Sequence, residues 1–155
     1  MIDPFLKNDS ADDLFNMLTG KEIGRGQYRI VYDCAINPKW VVKQDSGDNR
    51  SNLYEWDVWN HFKGTSLEKW LCPILHCSPR GLWIIAPRTT PITRKQMPRR
   101  VPDLLNTDVK LDNWGMLRGK PVCHDYGNNR LYRLADAPGR KLVRVDPSCL
   151  TVPFM

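Results

Sequence analysis

The stretch from Thr89 to Pro102 constrains the fold of this chain more than any other part of it. It holds Pro91, Pro98 and Pro102 among Arg94, Lys95, Arg99 and Arg100. Proline locks φ and has no N–H to donate, so neither a helix interior nor a central strand runs through such a stretch, and residues 89–103 read as a basic linker or surface loop. Regular structure is expected ahead of it. Ser10 precedes Ala11 to Leu18, with Asp12 and Asp13 early and Gly20 after, a cap, first-turn acids and a glycine stop that predict a short amphipathic helix within residues 1–20. Glu22 to Tyr32 and Trp40 to Lys43 read as antiparallel strands rich in branched and aromatic residues, with Asn37-Pro38 as the turn signal. Polar Asp45 to Ser51 is a loop; Leu53, Trp56, Trp59 and Phe62 then recur at near-helical spacing, and Gly64 ends that helix. Trp70 to Cys77 and Leu82 to Ala86 read as strands flanking the turn Ser78-Pro79-Arg80-Gly81. The order is β, β, helix, β, β.

Beyond the linker the expected elements are shorter. There is a helical turn near Leu104, a strand at Trp114 to Leu117, the Arg118-Gly119 turn, a strand at Pro121 to His124, and a further strand candidate at Leu142 to Val145. A chain of 155 residues, 41% of them hydrophobic, can bury a core without disulfides or a structural metal, and one domain is expected. The cysteines (Cys34, Cys72, Cys77, Cys123, Cys149) are odd in number and form no C-x-x-C pair, so they read as reduced, mostly buried thiols. No apolar leader follows Met1 and no long apolar run occurs, which points to a cytoplasmic protein without membrane contact.

The formal net charge is +6, and it is concentrated. From Lys69 to Pro102 there are Lys69, Arg80, Arg88, Arg94, Lys95, Arg99 and Arg100 and no acid, a field suited to phosphate or to an acidic partner surface. No Cys/His finger, RNA-stacking signature or basic recognition helix accompanies it, so nucleic acid is disfavoured as a partner. His61, His76 and His124 lack metal-ligand spacing and read as core or surface residues. The tryptophans read as core and interface anchors.

Alone, Gly24-Arg25-Gly26 is a weak signal, because glycines in a turn between strands usually serve positive φ or tight packing. Lys43 and Glu55 could be a surface pair, Asp108 a cap, Asn113 a turn former, and Asp125-Tyr126-Gly127 a strand-ending turn. Their order is what carries information. Gly24-x-Gly26-x-Tyr28-x-x-Val31 is followed by Lys43 at the end of an apolar strand, Glu55 on a helix, Asp108-x-Lys110-x-x-Asn113, and Asp125-Tyr126-Gly127 after a short hairpin. This order resembles the protein-kinase signature set. The resemblance implies an ATP and Mg²⁺ site. The hairpin backbone with Gly24, Gly26, Tyr28 and Val31 would approach the phosphates, and Lys43, held by Glu55, would neutralise their charge. Asn113 and Asp125 would ligate magnesium, Asp108 would take or orient the acceptor proton, and Lys110 would steady the transferring group. Adenine would lie between the two halves against the strand ending at Pro87, with Ile85 guarding the pocket.

Asn52-x-x-Glu55-Trp56, Trp70-Leu71-Cys72-Pro73, Ser78-x-x-Gly81-Leu82, Asp108-x-Lys110-x-x-Asn113-Trp114-Gly115 and Val122-Cys123-His124-Asp125-Tyr126-Gly127 are similar to the small kinase-like proteins of tailed bacteriophages. What this implies is an α+β fold acting in the host bacterial cytoplasm. It would have a kinase N-lobe-like part over residues 21–88, with an antiparallel five-stranded sheet and one C-type helix. A truncated C-lobe, a minimal catalytic hairpin and tail, would cover residues 104–155. Two departures stand out. Arg29 replaces the third glycine of the loop, and Asn106-Thr107 replaces the His-Arg before the catalytic aspartate. The interval from Pro87 to Asp108 is too short for the two helices kinases place there, and no peptide-binding platform is expected after Gly127. Transfer to a protein would therefore need a partner, a homodimer or a very small substrate. Two functions follow: an ATP/Mg-dependent phosphotransferase acting on a host protein or small molecule, or a pseudokinase-like protein that occupies a host bacterial or defence protein through the basic Arg88 to Arg100 segment.

Overall fold

In the computed structural model, residues 13–46, 50–127 and 141–150 are described. Branched and aromatic residues alternating across the chain produce a five-stranded antiparallel sheet from β1 (Thr19–Arg25), β2 (Arg29–Cys34), β3 (Trp40–Asp45), β4 (His76–Cys77) and β5 (Trp83–Pro87), in the order β1-β2-β3-β5-β4. One α-helix, α1 (Ser51–Phe62), follows β3. The architecture is α+β, as expected. Glu22 to Tyr32, expected as one strand, folds as two: Gly26 N–H donates to Arg29 O at 2.8 Å and closes a turn over Gln27 and Tyr28. Residues 13–18 are helical, where the sequence places a helix; its proposed cap, Ser10, lies outside the described residues.

Successive strand residues face opposite sides, and partners directly across a ladder share a side. Cys34, Val42, Trp83 and Ile85 line one face, covered by Leu18, with Phe15, Tyr32 and Trp40 packed around them. Phe15 meets Tyr32 edge to face at 5.7 Å. Each large side chain buried here contributes roughly 1.5–3 kcal/mol. The other face carries Arg29 opposite Asp45, and Val31 and Ile84 opposite Lys43.

Three expectations change. Trp70 to Cys77 is not a strand: a 3-10 turn covers Glu68–Trp70, Leu71 makes a single parallel bridge to Cys123, and only β4 remains extended in the ladder. Pro73 has no N–H for a ladder, and Cys72 N–H is spent on Cys123 O at 2.8 Å. The basic stretch is more than a linker, because it contains β6 (Thr90–Pro91) and β7 (Arg100–Pro102), with prolines at the ends of short strands, where a missing donor costs least. In α1 the buried positions are Ser51, Asn52, Glu55, Val58 and Phe62, while Leu53, Trp56 and Trp59 are only half-buried. Aromatic spacing marked the wrong stripe because buried Asn52 and Glu55 are satisfied by hydrogen bonds.

Among the described residues there are two further sheets. β8 (Trp114–Leu117) pairs with β6 and with β9 (Lys120–Cys123), and β7 pairs with β10 (Leu142–Arg144). The chain divides into two compact units, one of Met1–Asn52 with Leu75–Arg88 and one of Leu53–Ile74 with Thr89–Met155. In the second, Trp70 and Trp114 pack edge to face at 6.4 Å, and Tyr126 O–H donates to Cys72 O at 2.8 Å. All five cysteines are free thiols; Cys34, Cys72 and Cys123 are buried, whereas Cys149 is exposed. Among the described residues no helix is long and apolar enough to cross a membrane.

Candidate functional site

In the first unit the site begins at the β1–β2 hairpin. Neither Gly24 nor Gly26 has a positive φ, and a Cβ at either would meet only Val31 Cβ at 3.9 Å or Arg29 O at 3.8 Å, ordinary contact distances. Positive φ does occur at Gly64, Gly81 and Gly119. The usual structural reasons for glycine are thus missing at positions 24 and 26. Tyr28 is exposed at the tip, and its carbonyl accepts from Ser46 N–H at 2.9 Å. Residues Arg25 to Ile30, together with Gln44, Asp45 and Ser46, line a cleft of about 330 Å³.

Lys43 is only 6% exposed on β3. Its ladder neighbours are Val31 and Ile84. Ile85 pairs with Val42, sits in the core on the opposite face, and is not beside Lys43; Ile84, fully buried, is the β5 residue on the lysine's side. Pro87 closes the ladder opposite Trp40.

A buried polar network lies on the lysine's face, and the sequence reading missed it. Asn52, with no exposed surface, donates from Nδ2 to Lys43 O at 3.0 Å and to Leu82 O at 3.3 Å, and its Oδ1 accepts from Arg29 Nη1 at 3.3 Å. Its backbone N–H donates to Asp45 Oδ2 at 3.0 Å. The first turn of α1 has no acid of its own, so Asp45, from the end of β3, satisfies one of its orphan donors. Arg29, where a third loop glycine was expected, ties the hairpin to the start of the helix. The signal in the sequence was a cluster of polar residues around a predicted loop, which is indistinguishable there from a solvated turn.

The second unit gathers Asp108, Lys110, Asn113 and Asp125. Asn113, 7% exposed, spends both hydrogens of its amide nitrogen on Asp108, donating to the backbone O at 2.7 Å and to Oδ2 at 3.1 Å. The Asn113 carbonyl accepts from His124 N–H at 2.9 Å and from Asp125 N–H at 3.3 Å, which sets Asp125 beside it. Lys110 Nζ lies 3.0 Å from Asp108 Oδ1. Glu55, 1% exposed, accepts Tyr126 N–H on Oε2 at 3.2 Å, and so braces the Asp125-Tyr126-Gly127 segment. Glu55 belongs to this unit and Lys43 to the first.

The chain matches no protein-family model and no curated protein.

The Arg25 guanidinium, hydrogen-bonded at 2.8 Å, lowers the pKa of exposed Glu22, and bonds from Ser148 lower that of Asp146. Among the described residues no three His, Cys, Asp or Glu side chains are grouped to hold a metal. A separate cleft of about 240 Å³ is lined by Arg94, Arg99 and Arg144 over Met97, Val145 and Leu150. Arg144 joins the basic segment here through the β7–β10 pairing, which the sequence reading did not anticipate.

Proposed function

We propose that this is a kinase-like protein, its five-stranded sheet an N-lobe, that binds ATP with magnesium and transfers a phosphoryl group to a host bacterial protein or small molecule during phage infection. The observation that carries this reading is Asn113, whose side chain is locked onto Asp108 while its carbonyl holds the Asp125 backbone. Asn113 Oδ1 and the Asp125 carboxylate are hard oxygens of the kind that would hold magnesium. ATP supplies the transferable group and magnesium offsets its charge. Asp108 orients and accepts the acceptor's proton, and Lys110 steadies charge at the same carboxylate. Lys43 neutralises phosphate, and the open Cβ positions of Gly24 and Gly26 let the hairpin backbone approach it. Ile84, rather than Ile85, guards the base pocket, since it shares the face of Lys43.

The arginine-lined cleft favours a second reading, a pseudokinase-like binder that captures an acidic host protein. Isothermal titration with Mg-ATP separates the two. Wild type should bind, and Lys43→Ala and Asp125→Asn should each weaken binding at least about tenfold, the effect of losing one charge-assisted bond. A folded wild-type protein that takes up no heat from Mg-ATP removes the enzyme reading and leaves the second.

A further inference from the structure

In the second unit, Arg94, Arg99 and Arg144 surround a cleft of about 240 Å³ whose floor includes Met97, Val145 and Leu150. The floor residues are buried and the arginines exposed, so apolar surface lies below a rim of guanidinium groups. Among the described residues no acidic side chain lines the cleft. Asp146 stands between two lining residues, but its Oδ1 accepts from Ser148 N–H at 2.9 Å and from Ser148 Oγ at 2.8 Å. Arg94 Nη2 donates to Pro147 O at 3.0 Å, which holds that guanidinium at the rim.

Backbone pairing supplies a second, independent observation. Arg144 lies directly across from Arg100 in the β7–β10 ladder. Val145 N–H donates to Arg99 O at 2.9 Å and Asp103 N–H to Lys141 O at 2.8 Å, which makes Arg100 and Arg144 a non-hydrogen-bonded pair, the kind whose side chains stand closer together. Like charges directly opposite destabilise a ladder. Among the described residues no carboxylate pairs with either arginine. An anion seated between the guanidinium groups would relieve the repulsion.

We propose that this cleft binds a phosphorylated peptide segment, with the phosphate on the arginines and a neighbouring aliphatic side chain on the floor. The proposal rests on the binder reading of the cleft and names its ligand. A carboxylate carries one charge and is matched by one guanidinium fork, whereas a phosphate monoester carries roughly 1.5–2 negative charges near neutral pH and has oxygens enough for several. Inorganic phosphate would leave the apolar floor wet. No aromatic side chain lines the cleft, so it offers a nucleotide base no stacking platform.

The test measures fluorescence anisotropy of labelled peptide pools with the full chain in the absence of ATP. One pool fixes phosphoserine among random residues, and two others carry serine or glutamate in its place. The phosphoserine pool should bind at least about tenfold tighter than either, and affinity capture should enrich Leu, Ile, Val or Met beside the phosphoserine. Arg99→Gln and Arg144→Gln should each weaken binding at least about tenfold, the effect of losing one charge-assisted bond. Because Arg144 opposes Arg100, Arg144→Gln should also leave Tm unchanged or raised, which a structural arginine would not do. Unchanged affinity in both folded arginine variants overturns the proposal. Equal binding of the glutamate pool, dependent on the same arginines, overturns it while leaving the binder reading in place. Binding of no pool removes both. Tighter binding of oligothymidylate, or displacement by inorganic phosphate as effective as by phosphopeptide, also overturns it and assigns the cleft to nucleic acid or to the free anion.

Discussion

Replacing both Gly24 and Gly26 by alanine should leave the fold intact while damaging nucleotide binding. The magnitudes come from the space around each position. The added methyl groups would sit 3.9 Å from Val31 Cβ and 3.8 Å from Arg29 O, and neither residue requires positive φ, so no clash or backbone strain opposes the change. Alanine also restricts the unfolded chain, an effect worth about 0.4–1 kcal/mol per site when the native conformation is compatible. The double variant should therefore be about 1–2 kcal/mol more stable, raising Tm by roughly 2–8 °C for a chain of this length. Binding should move the other way. If phosphate approaches the hairpin backbone where Cβ atoms are now absent, losing one or two charge-assisted bonds should weaken Mg-ATP about 10- to 100-fold. Thermal denaturation and titration calorimetry on the same preparation read the two effects separately. Destabilisation by more than about 1 kcal/mol would show that the glycines serve packing after all. Unchanged ATP affinity in a stable variant would remove the hairpin from the phosphate site.

Two further expectations concern stability. Asn52→Ala removes one hydrogen bond each from Lys43 O and Arg29, while Leu82 O keeps its bond from Asp45 N–H at 2.7 Å, so urea denaturation should show a loss of about 1–3 kcal/mol; no measurable loss would make the network dispensable. Asp146 caps the 3-10 turn at Pro147–Cys149, accepting from Ser148 N–H at 2.9 Å, and its pKa is lowered in the fold. A depressed folded-state pKa contributes stability that is present above the unfolded value and lost as pH falls through the folded one. The Ser148 amide resonance should therefore shift as pH falls below the ordinary aspartate range, with no such transition in Asp146→Asn.

What could be read from the sequence was local pattern. Strands around Val41-Val42-Lys43 and Ile84-Ile85, the helix bearing Glu55, and the hairpin before Asp125 all announce themselves through neighbours a few residues apart. The choice between Ile84 and Ile85 depended on ladder register, which a one-residue slip reverses and which no apolar run encodes. The Asn52 network was hidden for a related reason: its partners Arg29 and Leu82 are distant in sequence, and a polar residue's partners decide whether it is buried. The same holds for Thr89 and His124, whose side chains are hydrogen-bonded, and for Arg144, which reaches the basic segment through a strand pair whose partners are far apart in sequence.

The two compact units are interleaved along the chain. Passing from one to the other occurs at Asn52, Ile74 and Arg88, and β5, next to β3 in the first unit's sheet, is made only after the Leu53–Ile74 segment of the second. During synthesis the first sheet must wait with β3's edge open until Trp83–Pro87 emerges, and the second unit stays incomplete until Leu142–Arg144 can pair with β7. No single cut separates the units into two contiguous fragments. Either unit alone would have to be made by splicing its separate segments together.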